Sequence, residues 1–347
     1  MVLQAIYTAV IMLAAIPTGI AADHFGRKKV LVIGAVLFAA AWAIFAQGHT
    51  YTAFLLAEII IALATAMWFS SGTAFLYDTL CELKRKNDFK RLYGKAVSIN
   101  YGVWGLSALA GGYLAGYGLR IPFWTTVVGT TGAIIFALSF TETKKQMDLK
   151  ERHYTSHFKN AVKVAAKNAH VRLMIIYMGI LTAVSFAAFM LYQPYLGSIG
   201  LPLVYFGAVY LTMDFLAASG SKSAHRIGQS LGENRTFIFI MFITILSLIG
   251  MATKLVIVGA IFPIVIFFVA GIAEPLSSDY LNRRIKSHHR ATVLSFQTLV
   301  GELLCTGLTP LMGIITDRWS LQGAFGVGAG ILSLNLIIFI WGLKKTQ

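Results

Sequence analysis

Gly19-Ile20-Ala21-Ala22-Asp23-His24-Phe25-Gly26-Arg27-Lys28-Lys29-Val30-Leu31 is a short polar interval between two long apolar ones, residues 3–22 before it and 30–46 after it. One acid, three consecutive bases and two glycines in so few positions describe a sharp turn in water that joins two segments in lipid. Working outward, further apolar stretches follow at 53–77, 96–117, 121–140, 173–196, 203–219, 236–252, 255–278, 291–315 and 322–343. Each is near the roughly 20 residues, within about 17–25, that cross a bilayer as a helix. Lipid offers backbone donors and acceptors no other partner, so each stretch must be helical. The alternating pattern of a membrane barrel is absent. The expected fold class is an all-α membrane protein with eleven transmembrane helices.

Composition agrees. Of the chain, 57% is hydrophobic and 12% charged, and the mean hydropathy is +0.72. A soluble protein of this length carries about a quarter charged residues. The only cysteines, Cys81 and Cys305, lie far apart in apolar stretches, so no disulfide framework or metal cluster is read from them. No Gly-x-x-x-x-Gly-Lys-Ser/Thr occurs, which argues against ATP as the direct energy source. No metal, cofactor or nucleophile cluster is expected, and the chain is not read as an enzyme.

Basic residues set the orientation. Twenty-six of the 29 Lys and Arg fall in the intervals on one side of the predicted helices, against Arg120, Lys254 and Arg318 on the other. That asymmetry places the basic side in the cytoplasm. An odd helix count then puts Met1 outside and Gln347 inside, in a multi-pass protein of the plasma (or bacterial inner) membrane. The net charge of +15 therefore reflects topology. Nucleic acid is not an expected partner, because the basic runs lack interleaved aromatic platforms. The longest interval divides the chain into an N-terminal half, residues 1–141, with five helices, and a C-terminal half, residues 173–347, with six. The linker, residues 142–172, carries Lys159, Lys163 and Lys167 at steps of four with Val162, Ala165 and Ala166 between them, the pattern of a surface-lying amphipathic helix over 157–170.

The opening motif resembles the signature of the major facilitator superfamily between its second and third helices: Gly, three residues, Asp, two residues, Gly, then a basic pair. His24 departs from the usual Arg. The resemblance implies a bundle of two pseudo-symmetric helical halves working by alternating access. It also implies that residues 1–141 hold the family's helices 2–6, so that the first cavity-lining helix is absent. The expectation is a reading frame that begins upstream of Met1, or else a non-transporting product such as a sensor or inactive fragment. Gly102, Gly105, Gly111, Gly112 and Gly116 resemble the Gly-rich helix of drug/proton antiporters, with Ser107-Ala108 in place of its Gly-Pro pair.

Within the motif, Gly19 and Gly26 allow close helix approach and a sharp turn. Asp23 can face a helix N-terminus, and Arg27 can pair with Asp78 at the basic end of stretch 53–77. These residues are read as a gate. A weak internal repeat sets His225 and Gly228 against Asp23 and Gly26 at an offset of 202, and Asp279 against Asp78 at 201. Asp279 therefore joins the gating set.

Ionisable residues at membrane depth are costly and mark function. Glu58, Asp214, Glu274 and Glu302 are the candidates for a substrate and proton pathway. The resemblance places Glu58 and Glu274 on cavity-lining helices, with Glu58 where many members carry Arg. The structural alternative is that each acid hydrogen-bonds a nearby Ser, Thr or Tyr as interhelical glue. Tyr192 and Gln193, in Tyr192-Gln193-Pro194-Tyr195, are candidates for a substrate contact or hinge. The expected function is secondary active transport of a small molecule, as proton-coupled efflux, by a monomer in the bilayer.

Overall fold

The computed structural model describes residues 1–142, 168–253, 255, 258–285 and 290–346. Each apolar stretch contains a long helix, and the described residues contain no strand. The long helices are α1 (Val2–Phe25), α2 (Arg27–Gln47), α3 (Tyr51–Glu82), α4 (Phe89–Ala115), α5 (Ile121–Ser139), α6 (Ala169–Ser198), α7 (Phe206–Leu231), α8 (Glu233–Ala252), α9 (Ile261–Arg284), α10 (Arg290–Arg318) and α11 (Leu321–Thr346). Among the described residues nine helices are long and apolar enough to cross a membrane, and a tenth if the two arms of α1, bent by 46° beside Pro17, count as one span. The bend follows from the missing amide and the ring clash of proline inside a helix. Helix α4 is not among the nine. The amphipathic segment expected over 157–170 lies almost wholly outside the described residues.

The chain forms two compact units, α1–α5 and α6–α11. In the N-terminal unit α3 packs on α1 and α2, α5 packs on α2, and α4 is held only loosely by α3 and α5. The Tyr7 and Thr65 hydroxyls meet at 3.2 Å, and Thr18 Oγ1 donates to the Ala66 carbonyl at 3.3 Å, fastening α1 to α3. Thr50 caps α3 by accepting from the Ala53 amide at 3.2 Å. At the end opposite the basic clusters, Trp42, Phe45, Phe54 and Phe123 stack at centroid distances of 5.6–6.0 Å.

The C-terminal unit is packed more tightly. Its fully buried side chains include Tyr177, Tyr195, Phe237, Tyr280, Phe325 and Phe339. Tyr177 donates to the Phe237 carbonyl at 2.7 Å, and Asn335 Nδ2 donates to the Tyr177 carbonyl at 3.2 Å, which ties α6, α8 and α11 by polar contacts that lipid cannot replace. Helices α7 and α9 touch backbone to backbone. A Cβ on Gly271 would overlap the Ala217 carbonyl, and one on Gly220 would overlap the Phe268 carbonyl. Small residues at such crossings allow the closest helix approach.

Candidate functional site

At the basic end of the N-terminal unit, Gly26 precedes the first residue of α2 with φ +100° and ψ 144°, a conformation that favours glycine. Arg27 follows at the first helical position and forms an ion pair with Asp78, one turn before the end of α3. Asp23, largely exposed, lies 3.8 Å from the same guanidinium. A cation at a helix start opposes the helix dipole. Glu142, just beyond α5, offsets it: its carboxylate accepts from the Arg27 amide at 2.9 Å and the Lys28 amide at 3.1 Å. Gly26 leaves room for that carboxylate, since a Cβ there would stand 2.5 Å from Glu142 Oε2. Around Gly19, by contrast, no described atom lies within 4 Å of an added Cβ, so the expected close approach is not what occupies that position.

The C-terminal unit repeats this arrangement in a register that corrects the sequence alignment. Gly228 lies inside α7 rather than at a turn. The counterpart of Gly26 is Gly232, which precedes α8 with φ +81° and ψ 151°. The offset is thus 206 residues, which sets Glu233 against Arg27 and Arg284 against Asp78. Asp279 instead pairs with Arg283 one turn along α9.

Glu274 and Glu302 both line a cavity of about 560 Å³ formed by α6, α9 and α10 of the C-terminal unit. The α10 lining runs Leu294, Gln297, Thr298, Gly301 and Glu302, one face of a helix. Phe189 and Phe267 close another wall with rings 5.4 Å apart. Among the described residues, neither carboxylate has a side-chain hydrogen bond or ion pair.

Tyr192 and Gln193 are brought together, the amide donating to the hydroxyl at 3.1 Å. Tyr192 is buried and stacks on Phe189 at 5.3 Å, one ring behind the cavity wall. Asp214 on α7 lies near the hydroxyls of Tyr192 and Tyr210. Tyr192, Gln193 and Asp214 are not among the residues lining the cavity. Glu58 is half-buried on α3 and does not line the apolar cavity of about 270 Å³ between α2, α3 and α5 of its own unit. At the basic surface, the Tyr77 hydroxyl beside Lys86 pushes that ammonium above its usual range.

Sequence reasoning missed Glu142, Glu233, Gln297 and the Phe189–Phe267 wall. Gln297 carried a signal, a lone amide at membrane depth on the face of Glu302. Glu142 carried none, because only tertiary structure brings it to a turn 115 residues earlier.

The sequence model of the Major Facilitator Superfamily matches residues 1–310. Over 154 residues the chain is 28% identical to Multidrug resistance protein 2 of Bacillus subtilis (strain 168); the match spans 43% of this chain and 36% of that protein, about a third of its length. It is 22% identical over 338 residues to the uncharacterized MFS-type transporter YxaM of the same strain, covering 93% of this chain and 82% of that one. A crystal structure of the nucleoside transporter NupG superposes with a TM-score of 0.78 at 14% identity, covering 99% of this chain and 90% of that one, a likeness of fold.

Proposed function

This chain belongs to the major facilitator superfamily, and on that premise we propose that it is a secondary active transporter that exports a hydrophobic organic cation in exchange for protons, by alternating access. The observation that carries the reading is a pair of carboxylates, Glu274 and Glu302, that share one cavity with Phe189 and Phe267 and have no side-chain partner among the described residues. A carboxylate at membrane depth is too costly to leave bare and is satisfied by a proton or by a cation. Proton and cationic substrate then compete for the same groups, which is the chemical requirement for exchange. Aromatic faces attract a cation through the ring quadrupole, by about 0.5–2 kcal/mol. Gln297 and the cavity hydroxyls add orientation without charge. The likeness to Multidrug resistance protein 2 supports a drug-like substrate.

Glu58, Asp214, Tyr192 and Gln193 lie outside the cavity lining, and in this reading they serve the proton route or reshape the wall. Gly26, Arg27, Asp78 and Asp23 form the gate on the basic side, which the charge asymmetry assigns to the cytoplasm. If all of α1–α11 span the bilayer, α4 included, Met1 lies outside and Gln347 inside, and reporter tags at the two ends distinguish that from a same-side arrangement. Asp23→Ala is expected to slow transport more than it weakens binding, because it shifts the balance of states rather than the site.

The test uses everted membrane vesicles, ethidium as the aromatic cation, and an imposed proton gradient. The expected result is uptake that collapses with the gradient and falls at least about tenfold in Glu302→Gln and Glu274→Gln, a loss of about 1.4 kcal/mol or more. Gradient-independent flux, or full activity in both variants, refutes the reading.

A further inference from the structure

The two units close their basic ends with the same latch in opposite polarity. In the first, a cation at the start of α2 holds an anion at the end of α3; in the second, an anion at the start of α8 holds cations at the end of α9. Arg27–Asp78 and Glu233–Arg284 are each separated by 51 residues, and each follows a positive-φ glycine. Glu233 Oε1 lies 2.9 Å from Arg283 Nη1, and Glu233 Oε2 lies 3.3 Å from Arg284 Nη2. Its side chain is 30% exposed and that of Arg284 is 29%, against 23% and 24% for Arg27 and Asp78. The second latch is also anchored from behind. The Arg284 guanidinium stacks 3.5 Å from the Tyr280 ring centroid, and the Arg284 carbonyl accepts from Asn168 Nδ2 at 3.4 Å.

We infer that Glu233 is a positioning residue for the transport cycle, the counterpart of Arg27, which latches the basic ends of α8 and α9 through Arg283 and Arg284. The consequence for transport rests on the function proposed above; the latch itself does not. Polarity makes the two latches unequal. Glu233 sits favourably on the positive end of the α8 dipole, whereas Arg27 opposes the α2 dipole and needs Glu142. A competing role for Glu233 is that of a simple helix-start acid, indifferent to the arginines.

Hydrogen–deuterium exchange on the purified full chain in lipid nanodiscs separates the two. Glu233→Gln is expected to speed amide exchange in 233–240 and 278–284 by about three- to tenfold. Glu233→Asp, which keeps the charge, retains most of the protection and serves as the folding control. Arg283→Gln with Arg284→Gln also breaks the Asp279 pair and the Tyr280 stack, so it should exceed Glu233→Gln, and adding Glu233→Gln to it should speed exchange no further, as for one shared interaction. Unchanged exchange in Glu233→Gln, or effects that simply add, overturns the latch. In ethidium transport, Glu233→Gln should lower the maximal rate about three- to tenfold with KM within twofold. If exchange behaves as expected but the unaltered protein moves no ethidium, the proposed function falls and the latch stands. If ethidium moves but exchange in Glu233→Gln is unchanged, the latch falls alone.

Discussion

Replacing Gly26 by Ala strikes two terms that the structure separates. The first is conformational: φ +100° with ψ 144° lies in a region essentially restricted to glycine, and forcing another residue there costs about 1–3 kcal/mol. The second is steric. The new Cβ would stand 2.5 Å from Glu142 Oε2, displacing the carboxylate that caps the Arg27 and Lys28 amides, and loss of such a cap costs about 0.5–2 kcal/mol. Together they predict destabilisation of about 1.5–5 kcal/mol. Gly232 is the internal control. It has φ +81° and ψ 151°, but no described atom lies within 4 Å of an added Cβ, so Gly232→Ala carries only the first term. Glu142→Ala carries only the second. Unfolding of the purified variants in dodecyl maltoside titrated with SDS, followed by tryptophan fluorescence, measures each. Gly26→Ala should exceed Gly232→Ala by about 1 kcal/mol, and that excess should vanish when Glu142 is already alanine. Equal costs for the two glycines, or an excess that survives Glu142→Ala, would refute the capping role.

Gly271→Val should abolish assembly of the C-terminal unit, because its side chain meets the Ala217 main chain and neither helix can yield; size-exclusion profiles should show loss of the monodisperse protein. Gly228→Ala should be tolerated in the same assay, since its Cβ meets only the mobile end of Leu276. Tyr177→Phe removes the 2.7 Å bond to the Phe237 carbonyl and should lower stability in the SDS titration by about 0.5–1.5 kcal/mol. Thr50→Ala uncaps α3 and should cost about 1 kcal/mol, with faster exchange confined to the first turn of that helix.

The helices were legible because lipid leaves a 20-residue apolar run one conformation. The turn at Gly26 was legible because glycine, acid and basic run are concentrated there, and the topology then placed Asp78 at the same end as Arg27. The repeat was misaligned for a physical reason. Helix α7 extends past its apolar stretch, 203–219, to Leu231, so its polar last turns resemble a loop and Gly228 resembles a turn glycine. Helix α3 likewise runs to Glu82, beyond the apolar limit at residue 77. The four intramembrane acids were visible singly; that Glu274 and Glu302 share a cavity while Asp214 stands apart depends on helix rotation, which apolar composition leaves open. Gln297 could have been found by extending the face of Glu302 back along α10.

The contact between α7 and α9 has a mechanical consequence. Side chains that interdigitate can slide by exchanging rotamers, but two main chains in direct contact at Gly220 and Gly271 have no such slack. The pair behaves as a single stiff girder, and any hinge in the C-terminal unit must lie elsewhere. Asp214 on one member and Glu274 on the other are therefore carried together as a fixed vector, whatever else in the unit turns around them.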